Sequence, residues 1–160
     1  MKKTYLLLFV FLAIVFLLVL GEEKKQNSSE NDIADISVPD MGDYLIINDN
    51  KLLIDIADTA EKRTRGLSGR PNLGENEGLF FIFEVPGRFS FWMKDMNFPI
   101  DIIWIDAEFK VVDITKNAVP ESFPKTFEPR TPVLYVLETI AGWADKNGIK
   151  MGDKVLFSRQ

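Results

Sequence analysis

From Tyr44 to Phe157 the sequence is a succession of short apolar, β-branched or aromatic runs, each broken by turn-forming residues. Breaks at intervals of about 8–12 residues leave no room for long helices, and they predict a mainly β domain, a single compact barrel or sandwich. Residues 44–47 and 52–56 flank the turn-prone triplet Asn48-Asp49-Asn50 and read as a hairpin. The runs at 79–83, 89–93, 100–105, 109–115, 133–137 and 155–157 bring the count to about eight strands. Asp106-Ala107-Glu108 joins the runs at 100–105 and 109–115 as the tight turn of a second hairpin.

Two short helices complete the expectation. One opens at Asp58-Thr59-Ala60-Glu61, where a side-chain oxygen can cap the first turn and Glu follows three positions on; Gly66 closes it in the αL conformation. The other spans 140–147 and stops at Gly148. Between them, residues 116–132 hold Pro120, Pro124, Pro129 and Pro132, so this stretch is neither helix nor central strand and reads as a long loop.

The N-terminal forty residues follow different rules. Lys2 and Lys3 precede an apolar run from Tyr5 to Leu20 that contains no charge and no Pro. Such a run is the signature of a membrane anchor or a secretory signal, here assigned to residues 1–21. Val19-Leu20-Gly21 is a mediocre cleavage site, which favours retention as an anchor, with secretion as the alternative. The positive flank stays cytoplasmic and directs the remainder to the extracytoplasmic side. Residues 22–40 are rich in Glu, Lys, Asn and Ser and read as a polar, flexible linker. The folded domain is then 41–160, long enough for one modest core.

Composition removes whole classes of chemistry. The chain has no Cys and no His, which excludes a disulfide, a thiolate nucleophile, a Cys/His zinc site and a Ser-His-Asp triad. The residues imply no cofactor and no metal. With Lys2 and Lys3 set aside, 17 of the 19 Lys+Arg remain against 24 Asp+Glu, a balance unsuited to general phosphate contact, so nucleic acid is not an expected partner.

Several blocks resemble a known family. Thr59-Ala60-Glu61-Lys62-Arg63-Thr64-Arg65-Gly66-Leu67, Glu77-Gly78-Leu79-Phe80-Phe81-Ile82-Phe83 and Ser90-Phe91-Trp92-Met93-Lys94 with Pro99-Ile100-Asp101-Ile102-Ile103 are similar, in this order, to blocks of domain-of-unknown-function family 192. Tyr135-Val136-Leu137-Glu138, Ala141-Gly142-Trp143 and Gly148-Ile149-Lys150-Met151-Gly152-Asp153 extend the resemblance to the C-terminus, so that it covers about residues 50–157. The resemblance implies a compact, predominantly β domain, often exported behind a signal or anchor, and no assigned reaction. Relatives often carry Cys before the strand that corresponds to residues 135–138, and any redox or thiolate role there does not transfer to this chain.

A candidate site follows from polar residues embedded in apolar runs. Strand alternation places Phe89, Phe91 and Met93 on one face and Ser90, Trp92 and Lys94 on the other. Asp101 lies between Ile100 and Ile102, and Glu138 lies amid Val136, Leu137 and Ile140; carboxylates in such places need partners. Structural pairs with Lys94, Arg65 or Arg70 would supply them. The functional alternative is a binding cluster of Arg65, Trp92, Lys94, Asp101 and Glu138 around a pocket, for a small polar ligand or an envelope glycan. Asp101 and Glu138 are also the candidate catalytic pair, as acid and base of a cell-envelope hydrolase.

Other chemistries fit less well. Ser90 and Lys94 lie ~13 Å apart along a strand, too far for a dyad. Met93 and Met96 without His or Cys suit core packing better than Cu(I). Trp92, Trp104 and Trp143 could form a sugar-stacking platform, an idea weakened by Trp104, which lies within Ile102 to Ile105 and reads as core. The expectation is therefore an extracytoplasmic, membrane-tethered binding or accessory domain, with the envelope hydrolase as the alternative.

Overall fold

The structure, a computed structural model, describes residues 42–160. The anchor or signal expected at 1–21 and the linker at 22–40 lie outside the described residues. Among the described residues no helix is long and apolar enough to cross a membrane.

Strand β1 (Tyr44–Ile47) turns into β2 (Asn50–Ala57) through Asn48 and Asp49, both at positive φ, and Ile47 pairs with Asn50. A two-residue loop with both φ values positive matches the twist of an antiparallel pair, and Asn and Asp are the side chains that tolerate it best. Helix α1 (Ala60–Arg65) follows, its first turn capped by the Thr59 hydroxyl, which accepts the Lys62 amide hydrogen bond at 3.2 Å. Thr59 at the cap leaves Glu61 one position short of a capping box. Gly66 ends the helix at φ 52°, ψ −135°, a conformation outside the expected αL basin and open chiefly to glycine.

Strand β3 (Glu77–Gly87) then runs parallel to β2, with α1 and the following loop as the crossover. The remaining pairings are antiparallel: β4 (Phe91–Trp92) with β7 (Thr126–Phe127), β5 (Ile100–Ile105) with β6 (Val111–Ala118), and both β3 and β5 with β8 (Val133–Ile140). Helix α2 (Trp143–Lys146) and strand β9 (Val155–Ser158) close the chain, β9 pairing with β1. The main sheet has the order β6-β5-β8-β3-β2-β1-β9. Its two edges meet at one end, where Lys110 bridges to Lys154 and the Val155 amide donates to the Phe109 carbonyl at 2.8 Å. The domain is thus mainly β, a curled seven-stranded sheet with a two-stranded ribbon and two short α-helices, as the sequence pattern implies.

Three local expectations change. The strand read at 89–93 shrinks to Phe91–Trp92, because Met93 turns into the core and its carbonyl accepts a turn bond from Met96. The helix read at 140–147 shrinks to Trp143–Lys146, because β8 continues to Ile140 and Gly142 takes φ 84°. The loop read at 116–132 carries the end of β6, a 3-10 turn at Pro120–Ser122 and β7.

The sheet centre is covered on both faces. Phe80, Ile103, Ile105 and Leu137 pack inward with Leu45, Leu52, Trp143 and Ile149. Leu79, Phe81, Ile102, Trp104 and Val136 face outward beneath Leu67, Met93 and Phe98. This explains why all six residues of β5 are buried and why Leu79 to Phe83 of β3 reads as an unbroken apolar run. Burial of each large side chain contributes roughly 1.5–3 kcal/mol, so these two layers dominate stability.

Candidate functional site

The outward face of the sheet holds a cavity of about 340 Å³, within the range of about 300–1,000 Å³ usual for small-ligand sites. Its walls come from α1 and the following turn (Arg63, Thr64, Arg65, Gly66, Leu67, Ser68), from β3 (Phe81, Phe83), and from the segment around β4 (Phe89, Ser90, Phe91, Trp92, Met96). Glu138 of β8 completes the lining. The rings are held by one another. Phe91 meets Phe81 edge-on at 4.8 Å and Trp104 at 5.3 Å, while Phe83 stacks on Phe89 at 3.5 Å. Trp92 is 47% exposed, the outermost of the aromatic walls.

Strand register places Glu138. Leu79, Glu138 and Ile102 are direct partners across β3, β8 and β5, so the carboxyl stands in a row between two aliphatic side chains. Glu138 is 5% exposed, and its buried Oε2 has no hydrogen-bond partner among the described residues. Burial, with no cation beside the carboxyl to offset it, pushes its pKa up to about 8. At neutral pH the group is mainly a carboxylic acid, an O–H donor without an acceptor among the described residues.

The cationic part of the lining belongs to α1. Arg63 is fully engaged: its Nη1 donates to the Asp58 and Ile82 carbonyls, its Nη2 to Glu84, and its guanidinium lies 5.1 Å from the Phe83 ring centroid. The guanidinium of Arg65 makes no hydrogen bond or ion pair among the described residues and is exposed.

Of the five residues the sequence singles out, the cavity gathers Arg65, Trp92 and Glu138. Lys94 is exposed and outside the lining; its carbonyl, not its ammonium, is tied, accepting from the Ser68 hydroxyl at 2.8 Å. Asp101 is 1% exposed but serves the other face. Its partner across β8 is Thr139, one residue beyond Glu138, and successive residues of a strand point to opposite faces. Its carboxylate accepts from the Asn117 amide at 2.9 Å and the Ala144 amide at 3.0 Å. Gly142, at the start of α2, has no side chain to cap the helix, and Asp101 provides that acceptor from the neighbouring strand. The paired-carboxylate arrangement is therefore corrected: the two groups face opposite sides of one sheet and cannot flank one bond.

The tryptophans also part company. Trp143 lies in the inner core, Trp104 is fully buried with its Nε1 donating to Thr115 at 3.1 Å, and Trp92 alone of the three is open to solvent. Met93 is buried in the outer core, whereas Met96 lines the cavity. What the sequence reading missed is the aromatic wall itself. The signal is the density of Phe along 80–91.

Fold and cavity together define a small curled-sheet β domain with a lateral, aromatic-walled pocket floored by one buried acid. The family described as DUF192, Uncharacterized ACR, matches residues 45–157, and the chain belongs to this family. It is 36% identical over 104 residues to a UPF0127 protein of Thermococcus sibiricus, covering 64% of each chain, so it spans just under two thirds of that relative's length. A UPF0127 protein of Thermococcus gammatolerans is 31% identical over 118 residues, 69% of this chain and 73% of the relative. A crystal structure of a protein of unknown function from Novosphingobium aromaticivorans superposes with a TM-score of 0.68 at 32% identity, covering 71% of this chain and 83% of the other. A candidate transcription regulator from Sinorhizobium meliloti gives 0.67 at 30% identity, covering 72% and 91%.

Proposed function

We propose that this domain is a binding module that takes a small ligand with an apolar body into the cavity between α1, β3 and β4. The observation that carries the reading is Glu138: a buried acid with an unpartnered oxygen, lining a cavity that also presents the rings of Phe81, Phe83, Phe89, Phe91 and Trp92. A polar group left unsatisfied in a core costs about 1–3 kcal/mol, and a Gln or Leu there would avoid most of the ionic penalty. Such a group is explained when a ligand completes it. The N-terminal apolar run and polar linker support a tethered, extracytoplasmic placement of the module. The hydrolase alternative has lost its second carboxylate, since Glu138 is the one acid in the cavity lining among the described residues. The acidic balance of the chain also speaks against carrying over nucleic-acid recognition from the Sinorhizobium meliloti protein's description.

The test is a panel of amphipathic fragments screened by thermal shift on the full chain, with Thr64→Trp as the blocked control. Thr64 is exposed on α1 and lines the cavity, so an indole there obstructs the cavity without entering the core. A fragment present at 100 times its Kd stabilises the wild type by about 2.7 kcal/mol, and Thr64→Trp is expected to lose most of that. Fragments that bind both proteins equally, or no fragment that binds at all, contradict the pocket reading.

A further inference from the structure

If the cavity is a ligand site, its unpaired groups describe the ligand. In the resting protonation state these are, among the described residues, a buried donor, the Glu138 acid, a cation, the Arg65 guanidinium, and the indole N–H of the half-exposed Trp92. Arg63 already has Glu84 and two carbonyls, Ser90 donates to Glu128, and Ser68 donates to the Lys94 carbonyl. The ionisable groups lining the cavity are Arg63 and Arg65 from α1 and Glu138 from β8; β3, β4 and the turn at 66–68 bring none. On the sheet, Leu79 of β3 and Ile102 of β5 flank Glu138 and are apolar.

Resting on that reading of the pocket, we infer that the ligand is an amphipathic organic anion: its charged group pairs with Arg65, its apolar or aromatic body lies among the phenylalanines, and an oxygen acceptor accepts the Glu138 hydrogen. A cationic ligand is the opposing possibility, because an ammonium would ionise Glu138 and pair with it. Charge decides against it. A cation would meet the unpaired Arg65 guanidinium and displace a proton from a carboxyl that burial keeps neutral, whereas an anion with an acceptor meets these groups as they stand. Arg65 at an exposed position also adds attraction that salt screens, a dependence a neutral ligand lacks.

The two charge types make opposite demands on Glu138→Gln. Gln keeps an N–H donor at the same position and cannot ionise, so it serves an acceptor and fails a cation. Three aromatic probes of one shape suffice, measured by calorimetry on the full chain at pH 7: 4-methoxyphenylacetate, its methyl ester, and 4-methoxyphenethylamine. The expected order is the carboxylate first, at least tenfold tighter than the ester, with that advantage abolished in Arg65→Ala. Glu138→Gln retains carboxylate binding within about threefold, Glu138→Leu loses tenfold or more, and wild-type affinity falls above pH 8 as the acid ionises. Tightest binding by the amine, abolished in Glu138→Gln and with close to one proton released per site, overturns the anion assignment and leaves the pocket reading standing. Equal binding by carboxylate and ester likewise overturns it. If no probe perturbs the Trp92 indole or the Met96 methyl resonance in a parallel titration, both readings fail together.

Discussion

Glu138→Gln is expected to stabilise the protein by about 3 kcal/mol at pH 7, an unusual gain for a buried polar substitution. The gain follows from linkage. Burial raises the folded-state pKa of Glu138 from 4.5 to about 8, so the folded protein keeps this proton over a range in which the unfolded chain has released it. Below pH 4.5 both states are protonated, and the contribution of this group is fully present. As pH rises from 4.5 to 8 the unfolded state binds fewer protons, and stability falls; above pH 8 both states are ionised and the loss levels off. A displacement of this size is worth about 5 kcal/mol in total, of which about 3 has been lost by pH 7. Gln does not titrate. It exchanges one unsatisfied neutral group for another, so the variant matches the wild type within about 1 kcal/mol at pH 4 and exceeds it progressively above. Urea unfolding at pH 4, 7 and 9 reads the difference directly. A difference independent of pH would show that Glu138 is ionised in the folded protein.

Asp101→Ala has the largest expected loss, about 3–4 kcal/mol. Two backbone N–H groups depend on this carboxylate, one in β6 and one in the first turn of α2, and the Ala144 bond is fully buried. Hydrogen bonds to a charged acceptor are each worth about 1.5–3 kcal/mol, and the Ala144 donor, once orphaned, is buried away from water. Asp101→Asn keeps one carbonyl acceptor and is expected to lose about half as much. The urea midpoint should fall with an unchanged slope, and ligand binding in the cavity should be retained, since Asp101 faces the other side of the sheet. A loss of binding without a loss of stability would instead return Asp101 to the site.

The contrast between these two acids shows where sequence reasoning reaches and where it stops. That Asp101 and Glu138 are both buried is readable from their apolar neighbours. Which face each occupies is not, because it depends on the pairing of β5 with β8, strands 27 residues apart along the chain from the end of one to the start of the other. A slip of one residue would put both acids on one face. Local signals carry further: the Asn48-Asp49 turn is legible in adjacent residues, and the helix start is displaced by only one position, its cap falling on Thr59 where Glu three positions on implies Asp58. The β4–β7 ribbon was beyond reach, since a two-residue strand has no periodicity to detect and its partner lies in the proline-rich stretch. The start of α2 was misplaced because Gly142 begins the helix from positive φ, with its cap supplied by Asp101 from another strand. Trp92 and Glu138 stand out in the sequence as aromatic or polar exceptions to their surroundings, and Arg65 as a charge partner for a buried carboxylate. The phenylalanine wall does not stand out, since a ring facing a cavity and a ring facing a core look alike in sequence.

The account turns on one protonated carboxyl in the pocket, and a site-resolved titration tests it most directly. In the full chain labelled with 13C-glutamate, Glu138→Gln identifies the Glu138 Cδ resonance by its disappearance. That resonance is predicted to titrate with a midpoint near 8, several units above the solvent-exposed glutamates. A Glu138 midpoint near 4.5 would contradict the account, because an ionised group at that position would already have a partner, and the cavity would have no donor to offer.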